Sequence, residues 1–527
     1  MAQELSTVVL PSEDELAEAL LNGEIDSAQY EILLEIIEHG IDSTNRYLLD
    51  EVPNLFYIPT SMGTFTPDLE IQQQQPFQFS MPLLTGKTVY FNHRFTRNLT
   101  ESSKSGYLST TRMFLGRNWR LSFQIRRDKT GRERFTERTI AYVNKKGVIR
   151  ELKLGNFNTR WGLGTVMGYH GKMFNNFERL DFESFLYPDY GAFNGFYGSL
   201  KIAGTECRTL LAVSRDEKYS LMSAGTMLSR DLIKNTVGGV ILGINRMENR
   251  CGQTAFIDRK LALYVRHTYS AGYTSLESSC QFGDGGGATA VVGEGRHHIS
   301  RMEFKYAAWR YADGYIDFTG GSKATNIRNT ITIDEIEFTM SNKRAGQKGV
   351  MVKTVVHPLE NWELYNAVLV ARLNRDTGNT EYLAGLGTKL SSVLTLNGDY
   401  MARLRERSGT KNQTDIAVHR FRMESKISFN SLSVRIYIAY NTDKNKNDYY
   451  SFFTGFKYRK AGLETFEIWS NLERIEPDFI RYWYLYMKTT QNLFRNLALS
   501  VKVSNAYRRN AVNKNLTTFS AEMKAVL

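Results

Sequence analysis

His297 and His298 form the only adjacent histidine pair in the chain, and so are the first residues to weigh as metal ligands. Neighbours on a strand point to opposite faces, so the two rings cannot readily hold one ion. Asp284 followed by Gly285-Gly286-Gly287 has the composition of a phosphate cradle, but no Gly-Lys-Ser/Thr follows, and a flexible turn accounts for it. Asp313 with Asp317, or His170 with His267, would supply acid–base machinery if the fold joined them; no spacing ties either pair together. Cys207, Cys251 and Cys280 lack zinc-site spacing, and three cannot all pair within one chain. A Cys251–Cys280 disulfide and free thiols are both open at this level. These residues point to no catalytic group, no metal and no cofactor, and the expectation is a protein that is not an enzyme.

A second chemistry is carried by cations at alternate positions among apolar neighbours: Arg120, Arg126, Arg403, Arg405, Arg435 and Lys502. Lining a lumen, they would favour anions. The alternative is that they pair with lumen acids such as Glu464, Glu467 and Glu522 and hold the interior together.

The elements that must position these side chains are strands. Leu432, Val434, Ile436, Ile438 and Tyr440 share one face, and Ser433, Arg435, Tyr437 and Ala439 the other. Trp119, Leu121, Phe123 and Ile125 alternate in the same way with Arg120, Ser122, Gln124 and Arg126. A tilted strand of about nine to eleven such residues has the height of a bilayer's hydrocarbon core. The pattern recurs from residue 87 to the end, where Phe519, Ala521, Met523, Ala525 and Leu527 form the last apolar face. Turns fall at Asp128-Lys129-Thr130-Gly131, Lys145-Lys146-Gly147, Asp376-Thr377-Gly378-Asn379 and Lys460-Ala461-Gly462. Longer polar stretches at 320–330, 406–414, 441–448 and 506–515 read as loops. No run of apolar residues is long enough for a transmembrane helix. A hydrophobic fraction of 42% and a mean hydropathy of −0.37 suit a barrel, in which only every second strand residue meets lipid. Aromatics at 12% supply its interfacial girdles.

The expected architecture is therefore all-β and transmembrane: a large antiparallel outer-membrane β-barrel of about 22 strands over residues 87–527, with a small N-terminal helical region. Residues 1–53 are the acidic helical region, expected on the periplasmic side, and 54–86 a linker or lumen plug. Ser12 with Glu15 forms a capping box, and Tyr30, Leu33, Leu34 and Ile37 recur at helical spacing before Gly40. Those four make a candidate partner-docking helix. Residues 13–53 carry twelve acidic side chains and one basic one, Arg46, while the whole chain is +12. Pro59, Pro67, Pro76 and Pro82, of only 9 prolines, fall in the linker. The opening Met1-Ala2-Gln3-Glu4 has neither the charged start nor the apolar run of a secretory signal, so a mature chain is expected.

The segment Leu154-Gly155-Asn156-Phe157 through Arg160-Trp161-Gly162-Leu163-Gly164, followed by Gly168-Tyr169-His170-Gly171, is glycine-rich for a strand. Gly155, Gly162, Gly164 and Gly168 suggest a bend, or backbone passing close to another segment. This stretch, with Gly40-Ile41-Asp42 through Glu51-Val52-Pro53-Asn54-Leu55, resembles large bacterial outer-membrane barrels that carry an N-terminal helix-hairpin-helix region. The resemblance implies a Gram-negative outer-membrane location. Here Phe56-Tyr57-Ile58-Pro59 stands where a DNA-binding hairpin would be glycine-rich and basic, next to a strongly acidic unit that repels a polyanion.

The function expected is a porin-like channel or transporter. The alternative is a membrane anchor or sheath for a trans-envelope assembly that docks periplasmic partners through its acidic helices. The expected partners are outer-membrane lipid and lipopolysaccharide together with a periplasmic or envelope protein; nucleic acid is disfavoured.

Overall fold

The computed structural model describes Thr88 to Leu527 apart from short stretches in loops and turns, the longest being 169–184. The region expected to form acidic helices, with Tyr30, Leu33, Leu34 and Ile37, and the expected linker at 54–86 lie outside the described residues, as do His170 and Cys251.

Twenty-four strands form one closed antiparallel sheet. Strands are numbered in chain order from β1 (Thr88–Asn98) to β26 (Asn515–Val526). β1 pairs with the next strand along the chain and, from Tyr90↔Val526 to Asn98↔Thr518, with β26, so no edge is left open. Consecutive strands are neighbours throughout, with one interruption. β13 (Met302–Tyr311) pairs with β16 (Lys348–Val356), and the connection between them carries a separate hairpin, β14 (Asn329–Ile333) with β15 (Ile336–Asn342).

The strand count corrects the sequence reading of about 22. Several connections are too tight to read as breaks. The long strands β8 (Tyr219–Ile233) and β9 (Thr236–Asn249) are joined only by Lys234-Asn235, with Asn235 in the left-handed region at φ 63°. Ala203-Gly204 and Ser300-Arg301 turn as tightly. None has the proline or the polar run that marks a loop in sequence.

An even strand number brings both barrel ends to one rim. Between-strand turns on that rim are short. The two long excursions, between Phe157 and Phe193 and between Tyr311 and Lys348, leave from the opposite rim. By the usual asymmetry of such barrels the terminal rim is periplasmic.

Alternation sorts the side chains. Outward, Leu228, Leu242, Leu261, Leu263, Leu276 and Val291 form part of an exposed apolar belt. Aromatic clusters bound it. On the terminal side Trp119 packs on Tyr142 at 5.1 Å, and His297 stacks between Tyr269 and Tyr306. Near the loop rim lie Tyr440 with Tyr450, and Tyr400 with Tyr382 and His419. These are the two girdles of a membrane barrel. Residues 362–372, where both faces carry apolar side chains, are sorted by their surroundings. Leu364, Val368 and Val370 face out, and Leu369 and Ala371 join an interior cluster.

Candidate functional site

The glycine-rich segment does not continue as a strand. β5 (Ile149–Phe157) ends at Phe157, and residues 158–168 turn into the barrel. Gly155 sits at φ 113°, with the Arg138 carbonyl where a Cβ would be, so the ladder to the preceding strand stops there after five pairs. Gly155 thus marks a close backbone approach, and Gly162 and Gly164, both at positive φ, lie in the turn that follows.

Residues 161–167 close on themselves: the Met167 carbonyl accepts from the Trp161 amide at 2.9 Å, and the Trp161 carbonyl from Gly164. Trp161, Val166 and Met167 are completely buried. They fit a recess left by two glycines on the inner wall. A Cβ at Gly225 would meet Trp161 at 2.8 Å and Met167 at 3.0 Å, and one at Gly243 would meet Val166 at 2.5 Å. Phe157, Phe193, Tyr197 and Ile241 belong to the same cluster.

Polar contacts fix the segment to β11 (Gly272–Gly283). The buried Glu277 carboxylate accepts from the Leu163 amide, the Thr165 amide (2.8 Å) and the Thr165 hydroxyl. Gly162, at φ 58°, lies against the same carboxylate, where a side chain would have no room. Arg160 donates to the Leu163 carbonyl at 2.9 Å and reaches Glu294 at 3.7 Å.

The start of the second long excursion crosses over and locks it. Gly168 donates to the Thr319 carbonyl at 2.7 Å, Gly321 to the Gly164 carbonyl at 2.8 Å, Thr319 to the Val166 carbonyl at 2.8 Å, and the Tyr315 hydroxyl to the Thr165 carbonyl at 2.5 Å. Beneath them is a buried charge cluster. On β10 (Thr254–Tyr269), Lys260 lies 3.4 Å from Asp258 and 3.5 Å from Asp317, and Arg344 pairs with Asp317 at 2.9 Å. Asn245 joins Asp258 to Thr319. Isolated buried charges are costly, so the alternation of sign is what lets this cluster sit inside the barrel. Lys260 also lies 4.8 Å from the Tyr315 ring centre, and burial pushes the Tyr315 phenol up to about 12. Residues 158–168 and 312–321 thus form a clasp fastened to the inner wall of β8–β13.

Across the lumen, an aromatic row runs over four neighbouring strands: Tyr437 on Phe453 at 4.8 Å, Phe453 against Trp469 at 5.2 Å, and Trp469 on Tyr486 at 5.5 Å. Of the basic residues singled out from sequence, Arg435 lies over Tyr437 and Phe453 and pairs with Glu424 at 2.9 Å. Lys502 lies 4.6 Å over Tyr486. Arg403 is buried and pairs with Glu381 at 2.9 Å. Arg120 and Arg126 share the inward parity of Ser122 and Gln124, which are buried. Arg405 is placed by its backbone, opposite Asn379 and Ile416. Arg403 and Arg435 thus pair with Glu381 and Glu424, acids that the sequence reading did not name. Of the acids named in sequence, Glu467 pairs with Lys457 and Glu522 with Lys524.

The other candidates are dispersed. His297 faces outward in the terminal girdle, and His267 meets Thr236 at 2.8 Å. Asp317 belongs to the clasp, while Asp313 is an exposed loop residue beside Gly346. Cys207 and Cys280 are free thiols. Among the described residues no three His, Cys, Asp or Glu side chains are grouped to hold a metal ion. Sequence reasoning missed Glu277, Lys260 and Asp258. Their signal was a charge at an inward strand position, in segments whose outward residues are apolar.

No family model and no curated protein matches the chain. Among solved structures it is similar to a chain of the E. coli P pilus tip assembly intermediate PapC-PapD-PapK-PapG, with a TM-score of 0.51 and 11% identity over 84% of this chain and 61% of that one. It spans about three fifths of that chain's length. Similarity also extends to the Pseudomonas aeruginosa siderophore receptor PirA (TM-score 0.46, 6% identity, 85% and 81% covered) and to the P. aeruginosa protein OccK3 (0.34, 9%, 61% and 94%). The first likeness is one of fold, a large closed barrel. With that fold, and with an apolar belt held between aromatic girdles, the protein is an outer-membrane β-barrel.

Proposed function

We propose that the protein is an outer-membrane channel or transporter whose clasp narrows the lumen along one wall and leaves the passage against the facing wall. The observation that carries this reading is the clasp itself: a segment fastened by buried hydrogen bonds inside a 24-stranded barrel. A barrel this wide leaves an aqueous lumen unless something fills part of it. The facing wall, with its aromatic row and with Lys502 over Tyr486, is suited to passing anionic or amphipathic solutes.

The N-terminal region enters as part of the proposal. Residues 1–53, strongly acidic, dock a periplasmic or envelope protein through Tyr30, Leu33, Leu34 and Ile37, and residues 54–86 lie at the periplasmic mouth. Their charge also favours a second reading, in which the barrel anchors or sheathes a trans-envelope assembly. Single-channel conductance in a planar bilayer separates the two, measured with the full chain and with residues 1–86 removed. Steps in both forms support an open channel, and steps only after truncation make the N-terminal region a plug. Silence in both, and in a Glu277→Ala variant with a loosened clasp, rejects transport in favour of the sheath.

A further inference from the structure

Three cations stand in line on the outer surface at the loop rim. Arg310 on β13 is directly opposite Lys348 on β16, and Lys348 is directly opposite Arg372 on β17 (Trp362–Arg372). All three side chains are exposed, and among the described residues none makes an ion pair. Like charges directly opposite on adjacent strands repel, with Cβ atoms only about 5 Å apart. Among the described residues this arrangement gains nothing from its neighbours, and it favours an anion from outside.

The surface beneath identifies the kind of anion. The next outward row toward the membrane centre is Ala308, Val350 and Val370, and the one after it is Tyr306, Val352 and Val368. Val350, Val368 and Val370 are exposed. A charged row above an apolar strip matches a lipid with an anionic headgroup. The wall carrying it is packed from inside: a Cβ at Gly349 would meet Trp309 at 2.4 Å, and the Trp309 indole donates to Gln347 at 3.0 Å. The backbone that carries the row is thus packed firmly from inside.

We infer that Arg310, Lys348 and Arg372 bind the phosphate of a phosphorylated glycolipid of the outer leaflet, with its acyl chains against the valine strip. This site lies outside the lumen and does not depend on the channel reading.

The test is native mass spectrometry of the full chain in detergent. Bis-phosphorylated lipid A, its dephosphorylated form and inorganic phosphate are the probes, applied to the wild type and to the triple variant R310Q/K348Q/R372Q. The expected result is retention of the bis-phosphorylated lipid by the wild type, with affinity lowered about a hundredfold in the triple variant. A similar loss is expected for the dephosphorylated lipid. Equal retention by both proteins, or of both lipids, overturns the inference. Inorganic phosphate binding as tightly as the lipid also overturns it, by making the site one for a free anion. Folding is checked by heat-modifiable migration. If the triple variant does not fold, Lys348→Met alone is compared: a clear loss of the phosphorylated lipid supports the site, and unchanged retention rejects it.

Discussion

Glu277 is the residue on which the clasp turns, because one carboxylate satisfies two backbone amides and a hydroxyl of the segment it holds. Removing it in Glu277→Ala leaves those donors without their acceptor, at about 1–3 kcal/mol for each that water does not reach. The expected outcome is faster hydrogen exchange over residues 161–167 and larger, noisier conductance steps. Glu277→Gln, which keeps one acceptor oxygen, should fall between the two. Gly162→Ala tests the same contact from the other side. It places a methyl group against the carboxylate at a left-handed φ, and should release the segment without removing any charge. Tyr315 gives the clasp a pH dependence. Burial raises its phenol to about 12, whereas an exposed tyrosine ionises near 10. The released state therefore loses its proton first, and the clasp weakens as pH rises through about 10 toward 12. Tyr315→Phe should remove that alkaline step in conductance. At this scale the sequence was partly legible. Inward parity located Arg403, Arg435 and Lys502, but which acid each meets depends on register, and register is not written in any one strand.

At the scale of elements, periodicity carried most of the information. Alternation such as that of Leu432–Tyr440 is forced by an apolar exterior and a polar interior, so β3 (Trp119–Arg127) and β21 (Leu432–Thr442) are as read from sequence. Two features escaped it. Turns of two residues left no gap in the pattern, which lowered the strand count. The clasp resembled a strand because its apolar residues fill an interior recess instead of meeting lipid, and Gly225 and Gly243, which form that recess, lie far along the chain. The glycines of 155–168 marked a close approach without naming its partner. Because the clasp rests on the wall without contributing to the sheet, replacing residues 159–167 by a short Gly-Ser loop should leave the barrel folded. Far-ultraviolet circular dichroism is expected to be unchanged while single-channel conductance rises. Loss of folding would mean instead that the clasp is part of the core that assembles β8–β13.

For the whole molecule the governing feature is the division of charge. Residues 13–53 are strongly acidic, and the chain is nonetheless +12, so the barrel carries a large basic excess. If the acidic unit stands at the periplasmic mouth, as proposed, it concentrates cations there and offsets the anion preference of a basic lumen. Such an influence reaches only about 10 Å at 0.1 M salt and about 30 Å at 0.01 M, so it should be strongest in dilute electrolyte. Reversal potentials across a potassium chloride gradient can measure this. The full chain should be weakly selective, and removal of residues 1–53 should shift the potential toward anion preference, with a larger shift in dilute salt. Lys502→Glu on the lumen wall should move it the opposite way in either form. If truncation leaves the potential unchanged at every salt concentration, the acidic unit does not stand at the mouth, and its charge then belongs to the surface of a partner protein and not to the conduction path.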